Sequence, residues 1–285
     1  MKLTFQIFLF LFCICGEAFC QDEEFFTEEV LEENQFFFLG ETHGISSNYD
    51  MARKMILELK AKTNFKYYLA ENDLVTTMTL NEYISSRDSL GLKTMMEGQG
   101  AIASRCVERY EFYRFLMDLN DQYEDDIILL GTDINASGNI DEIRELLEKN
   151  KNPFIDEYVR ENWEYTRLAF SVRDDSWNRV RDSLIYLNYQ KLEDYFELED
   201  EIIFGVWGTD HAYKAKTENA DWFASSLGNE GKKGYSVIQY YIDCEASMPW
   251  HFYLNKPKKN KLFHNRKWTD IKGDDLKSLK NRRGE

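Results

Sequence analysis

Apolar positions along the chain fall into short unbroken runs, separated by longer stretches where they recur every three or four residues. Gln35-Phe36-Phe37-Phe38-Leu39 is such a run and stops at Gly40. A strand apolar on both faces belongs inside a sheet that is covered on both sides. After Gly44, the residues Ser46, Ser47 and Asn48 can cap a helix through about Thr63, with Ala52, Met55, Ile56 and Leu59 along one stripe. Tyr67-Tyr68-Leu69-Ala70 is a second strand, ending at Glu71. Strand, helix and strand in succession predict a βαβ unit, with parallel pairing and a right-handed crossover.

The alternation continues. Val107–Asn120 is helical, with Tyr110, Tyr113 or Arg114, and Met117 along one side, and Ile127–Leu130 is a strand that runs into Gly131-Thr132-Asp133. A short helix is expected over Ile140–Lys149, and two long ones over Pro153–Ser171 and Asp174–Glu199. Ile202–Trp207 is a strand leading to Gly208-Thr209-Asp210-His211; a helix over Ala220–Leu227 and a strand over Tyr235–Ile242 follow. The pattern predicts an α/β fold: a central, largely parallel sheet flanked by helices, with a helical insertion between about 139 and 200.

The amino terminus departs from this pattern. Lys2, an apolar run over Leu3–Ile14, and the small-x-small exit Ala18-Phe19-Cys20 read as a signal peptide over 1–20, too short to span a bilayer. The expected product is an exported protein, periplasmic or secreted, with no transmembrane segment in the mature chain. Cys13, Cys15 and Cys20 would leave with the leader. Cys106 and Cys244 remain, and export would permit a disulfide between them without establishing one. The α/β domain is expected over 21–255 and a basic tail over 256–285, where eleven basic residues face four acidic ones for a net of +7. The whole chain carries a net charge of -16, which speaks against a nucleic-acid partner.

Chemistry gathers at the strand ends. Gly40-Glu41-Thr42-His43-Gly44, Gly131-Thr132-Asp133 and Gly208-Thr209-Asp210-His211 each follow an apolar run, and Glu71 closes another. A parallel sheet places such ends on one edge, where these folds put their sites, so Glu41, His43, Glu71, Asp133 and His211 are expected to converge. Gly-x-Ser-x-Gly, a Walker loop, a dinucleotide fingerprint and His-Glu-x-x-His are all absent from the sequence. Glu–His pairs without a nucleophile elbow suit activation of water, either directly or through a divalent metal. The cofactor expectation is accordingly none, or one divalent metal with Glu41, His43 and His211 as candidate ligands.

These residues resemble the erythromycin esterase family and its wider relatives, the Tiki-type proteases and the ChaN-like haem-binding proteins. Phe38–Gly44 resembles the family's first Gly-Glu…His-Gly strand end, Leu69-Ala70-Glu71 its second acidic strand end, and Gly131-Thr132-Asp133 its Gly-x-Asp element. Arg181-Asp182 is similar to the Arg-Asp pair before the last motif, and Gly208–His211 to the terminal histidine motif, although Gly208 stands where the esterases carry a further histidine. The resemblance implies an esterase-like hydrolase acting on a small-molecule or acyl substrate. His43 would be the base for water, Glu41 and Glu71 would orient it or bind metal, Arg181 would hold an anionic intermediate, and His211 would complete the pocket. The relatives imply two alternatives, a haem- or iron-binding protein and a metalloprotease.

Overall fold

The computed structural model describes residues 24–45, 47–98, 107–123, 125–134, 148, 151–172, 177–215 and 221–239. The leader over 1–20, Cys106, Cys244, His251, His264, the basic tail and all but one residue of the expected helix at 140–149 lie outside the described residues.

Five parallel strands form one sheet in the order β3-β2-β4-β1-β5: β1 (Phe36–Glu41), β2 (Tyr67–Ala70), β3 (Ile128–Gly131), β4 (Ile203–Gly208) and β5 (Gly234–Ile238). The described helices, in chain order, are α1 (Glu28–Glu33), α2 (Ser47–Lys62), α3 (Leu74–Ser86), α4 (Ser89–Gly98), α5 (Val107–Asn120), α6 (Pro153–Ser171), α7 (Trp177–Phe196) and α8 (Phe223–Asn229). No helix among them is long and apolar enough to cross a membrane.

The triple phenylalanine run explains the layering. Phe37 and Leu39 point into a core built with Met55, Ile56 and Leu59 of α2, Leu80 of α3, and Phe112 and Leu116 of α5. Phe36 and Phe38 point the other way, toward Tyr158 of α6, Ile185 and Tyr189 of α7, and Phe223 of α8. Each of these phenylalanines is at most 2% exposed. Full burial of such a ring is worth roughly 1.5–3 kcal/mol, so β1 alone anchors both faces. Edge-to-face contacts between Phe26 and Phe37 (5.0 Å) and between Phe36 and Tyr189 (5.5 Å) hold the segment before α1 and helix α7 against opposite faces of β1.

The strands of the predicted βαβ unit are parallel members of one sheet, yet they are not neighbours: β4 lies between them. Composition explains the insertion. β4 is also apolar on both faces, and Gly205 allows the Trp207 indole to fold back and donate from Nε1 to the Leu69 carbonyl of β2 (3.0 Å). A Cβ at Gly205 would stand 2.7 Å from that same carbonyl oxygen. β5 runs along the outer side of β1, and each of its residues is only partly buried.

Two helices over 74–98 have no counterpart in the sequence reading. In α3, Val75, Thr76, Thr77 and Thr79 blur the helical stripe with β-branched residues. The helix forms because Asp73 caps it, accepting from the Thr76 N–H (2.9 Å), and because Leu80 and Ile84 bury against the sheet. The α6 bounds coincide with expectation, whereas α7 ends earlier than expected and stops before Glu197, whose φ is +54°.

Candidate active site

Every described strand end that carries a polar cluster opens onto the same edge of the sheet. Register makes this inevitable: Glu41 of β1 lies beside Gly208 of β4, and Ala70, the residue before Glu71, lies between Val206 of β4 and Gly131 of β3.

Glu41 closes β1 and the chain turns at His43 and Gly44, so the two side chains meet across the start of that turn. His43 donates from Nδ1 to Glu41 Oε1 at 2.8 Å. The turn that presents them is pinned twice. Asn48, buried in the first turn of α2, donates to the Thr42 carbonyl (2.9 Å), and Thr209 donates to the Glu41 carbonyl from both its N–H and its hydroxyl (2.9 Å each). Gly44 then turns the chain away with φ +84°. The His43 side chain stays 47% exposed while Glu41 is 11% exposed, so the imidazole faces solvent with a nearly buried carboxylate behind it.

Glu71 sits between the two imidazoles. Its Oε2 accepts from the Gly208 N–H (2.7 Å) and lies 3.7 Å from His43 Nε2, while its Oε1 accepts from Arg181 (2.9 Å) and lies 3.5 Å from His211 Nε2. Burial disfavours its charge, but His211, His43 and Arg181, together with the Gly208 N–H, outweigh that and hold its pKa down to about 2. The Glu41 hydrogen bond and then the Glu71 charge, against a smaller burial effect, raise His43 from 6.5 to about 9.

Arg181, one turn into α7, crosses the top of the cluster. It donates from Nε to Asp133 Oδ1 (2.9 Å) and from Nη2 to Asp133 Oδ2 (2.5 Å) and Glu71 Oε1 (2.9 Å); Nη1 meets His211 Nε2 at 2.9 Å. Asp133 is therefore a bidentate partner that aims the arginine. Its own loop is held by the side-chain amides of Asn162 on α6, to the Asp133 carbonyl, and Asn188 on α7, to the Thr132 carbonyl (2.9 Å each).

His211 is 8% exposed and bonds through Nδ1 to Asp182 Oδ1 at 2.7 Å. Asp182 is fully buried, and the same oxygen accepts the Phe223 N–H of α8 (2.9 Å). Burial works against a charge on His211, the carboxylates of Asp182 and Glu71 more than offset it, and Arg181 opposes them; the net is raised proton affinity. Trp207 and Trp222 wall the ring edge-on, with centroids 5.8 and 6.2 Å away.

The structure thus brings together Glu41, His43, Glu71, Asp133, Arg181 and His211. Two features escaped the sequence reading: the hold of Asp182 on His211, and the Gly208 N–H on Glu71. Gly208 also leaves space between the two rings: a Cβ there would lie 3.2 Å from His43 Nε2 and 3.4 Å from His211 Cδ2.

The proposed metal ligands Glu41, His43 and His211 are not arranged as a chelating set. Glu41 and His43 are bonded to each other, and His211 spends Nδ1 on Asp182 and meets Arg181 through Nε2. The guanidinium already supplies the positive charge between Glu71 and His211. Among the described residues no group of three or more His, Cys, Asp or Glu side chains is placed to hold a metal ion.

No protein-family model matches the chain, and no curated protein matches it. Solved structures do. A protein from Bacillus cereus superposes with a TM-score of 0.55 at 14% identity, covering 77% of this chain and 69% of that one. A succinoglycan biosynthesis protein gives 0.53 at 14%, covering 73% and 66%. A mutant of the erythromycin esterase EreC, in its open conformation, gives 0.48 at 13%, covering 74% and 71%. At these identities the first two likenesses show one thing, a shared α/β fold with a parallel sheet flanked by helices.

Proposed function

We propose that this chain is an exported hydrolase that uses the Glu41–His43 pair to activate water against an ester or related acyl bond. The observation that carries the reading is the half-exposed His43 imidazole, oriented from behind by Glu41 at 2.8 Å, with its second nitrogen 3.7 Å from Glu71. The motif resemblance to the erythromycin esterases supports the same assignment.

With Nδ1–H held by Glu41, neutral His43 presents the lone pair of Nε2. A water beside it attacks the carbonyl carbon while its proton passes to Nε2, and the imidazolium that forms is stabilised by Glu41 and Glu71. Collapse of the tetrahedral intermediate breaks the bond to the leaving oxygen, which takes the proton back from Nε2. One water is consumed, an acid and an alcohol are released, and the ring returns to its starting state. Arg181, fixed by Asp133, keeps the Glu71 carboxylate in place throughout.

Because His43 titrates at about 9, only about 1% of it is the base form at pH 7. The activity is therefore an alkaline one. The test is hydrolysis of p-nitrophenyl acetate by the purified protein at pH 7–10, beside His43→Ala with an unchanged circular dichroism spectrum. Turnover that disappears in the variant supports the reading; equal rates in the two proteins defeat it.

A further inference from the structure

We infer that Asp182 is a positioning residue: it fixes His211 as the tautomer protonated at Nδ1, whose free Nε2 then accepts from Arg181 and holds the guanidinium on Glu71. This rests on the hydrolase reading for its consequence in catalysis, but the geometry stands on its own.

Three facts combine. Asp182 is 0% exposed, and its Oδ1 receives both the His211 Nδ1 contact (2.7 Å) and the Phe223 N–H (2.9 Å). An oxygen with two such neighbours acts as an acceptor, so Nδ1 must carry the proton. On the other side of the ring, His211 Nε2 stands 2.9 Å from Arg181 Nη1. Guanidinium nitrogens only donate, so an Nε2–H here would set two donors against each other, and Glu71 Oε1, the acceptor also near Nε2, is 3.5 Å away, farther than the guanidinium. The ring that fits both contacts is neutral, with its proton on Nδ1 and its lone pair toward Arg181. An adjacent carboxylate raises the basicity of an imidazole and makes Nε2 a stronger acceptor.

The main chain that carries the ring is pinned as well. The His211 N–H bonds to the Gly208 carbonyl (2.9 Å), and its own carbonyl receives the Ala224 N–H (3.0 Å). Asp182 therefore joins α7, the loop after β4 and the start of α8 around one imidazole. The chain of contacts runs from Asp182 through His211 and Arg181 to Glu71, and ends 3.7 Å from His43. His211 acts within it as a hydrogen-bond acceptor that aims Arg181, a different task from the proton exchange assigned to His43.

The test reads the ring nitrogens directly. Long-range ¹H–¹⁵N spectra of the full chain at pH 8 should show His211 with a protonated Nδ1 and an unprotonated Nε2. A wild-type spectrum with Nε2 protonated overturns the inference and needs no variant. In Asp182→Asn, whose folding is checked by thermal melting, the Nε2–H population should grow. If p-nitrophenyl acetate is a substrate, kcat should fall on the order of 10²-fold or more with KM changed far less. A folded Asp182→Asn with the wild-type tautomer also overturns the inference. Absence of ester hydrolysis in the wild type defeats the hydrolase reading alone, because the ring nitrogens still decide the role of Asp182.

Discussion

Replacing Glu41 by Gln isolates the force that sets the charge of His43. In the native site His43 stands at about 9 against an ordinary 6.5, and the causes are ordered: the Glu41 hydrogen bond first, the Glu71 charge second, with burial working against both. Glutamine keeps an oxygen 2.8 Å from Nδ1 but loses the negative charge, so the largest contribution falls away while Glu71 remains. The His43 midpoint should drop by roughly 1–2 pH units, to a value still above 6.5. The chain has only four histidines, so ring ¹H–¹⁵N titration can follow each one separately. The sign for stability follows from the same shift. A folded-state pKa raised above the unfolded one contributes stability that is full below 6.5 and is lost as pH rises through 9. Glu41→Gln should therefore flatten the alkaline limb of the stability profile. His43 is half-exposed, so salt should weaken the Glu71 part of the shift. A wild-type His43 that titrates near 6.5, or a midpoint that Glu41→Gln leaves in place, would refute the account of the pair.

Three further outcomes are expected. Below pH 9, kcat/KM for ester hydrolysis should rise about tenfold per pH unit and then level; a fall above pH 9 would mean that His43 acts from its protonated form. Glu71→Gln should cost less than about 3 kcal/mol at pH 7: a carboxylate held at about 2 instead of 4.5 contributes stability that is full above 4.5 and is lost as pH falls through 2, and a neutral His211 withdraws part of that hold; urea unfolding at pH 7 and pH 3 should show the gap between variant and wild type narrowing in acid. Gly208→Ala places a Cβ 3.2 Å from the half-exposed His43 ring, which can yield, so thermal melting should change little while turnover drops; a large loss of melting temperature would show that the ring cannot move.

Strand identity was legible because burial on both faces leaves an unmistakable trace: Phe36, Phe37, Phe38 and Leu39 admit no other placement in a domain of this size. Strand order was not. The helix between β1 and β2 says that they are parallel, but nothing in either strand encodes that β4 slips between them. That choice depends on Gly205 letting Trp207 reach Leu69, a contact between residues 138 positions apart. The helix over 74–86 was hidden because threonine and valine favour strands locally, and capping by Asp73 and core burial prevail over that preference. At the site, Glu41, His43, Glu71, Asp133 and His211 were legible as strand ends on a common edge. Arg181 and Asp182 lie on a helix, where charged residues are common, and periodicity cannot distinguish an arginine turned into a buried cluster from one on a solvated face.

The two imidazoles also show why one site holds two carboxylate–histidine pairs without redundancy. Each ring offers Nδ1 to a carboxylate and turns Nε2 toward Glu71, at 3.7 Å for His43 and 3.5 Å for His211. They differ in what else reaches Nε2. For His211 it is Arg181, whose guanidinium already meets Asp133, Glu71 and that nitrogen and has little left for a ligand. For His43 the remaining direction is solvent, since the side chain is 47% exposed. A proton can therefore be exchanged with an incoming molecule at His43, whereas at His211 exchange would first require the arginine to leave Asp133 and Glu71. Leaving those carboxylates would uncover buried charge, so His43 is the ring of the two that stands ready to exchange a proton with solvent.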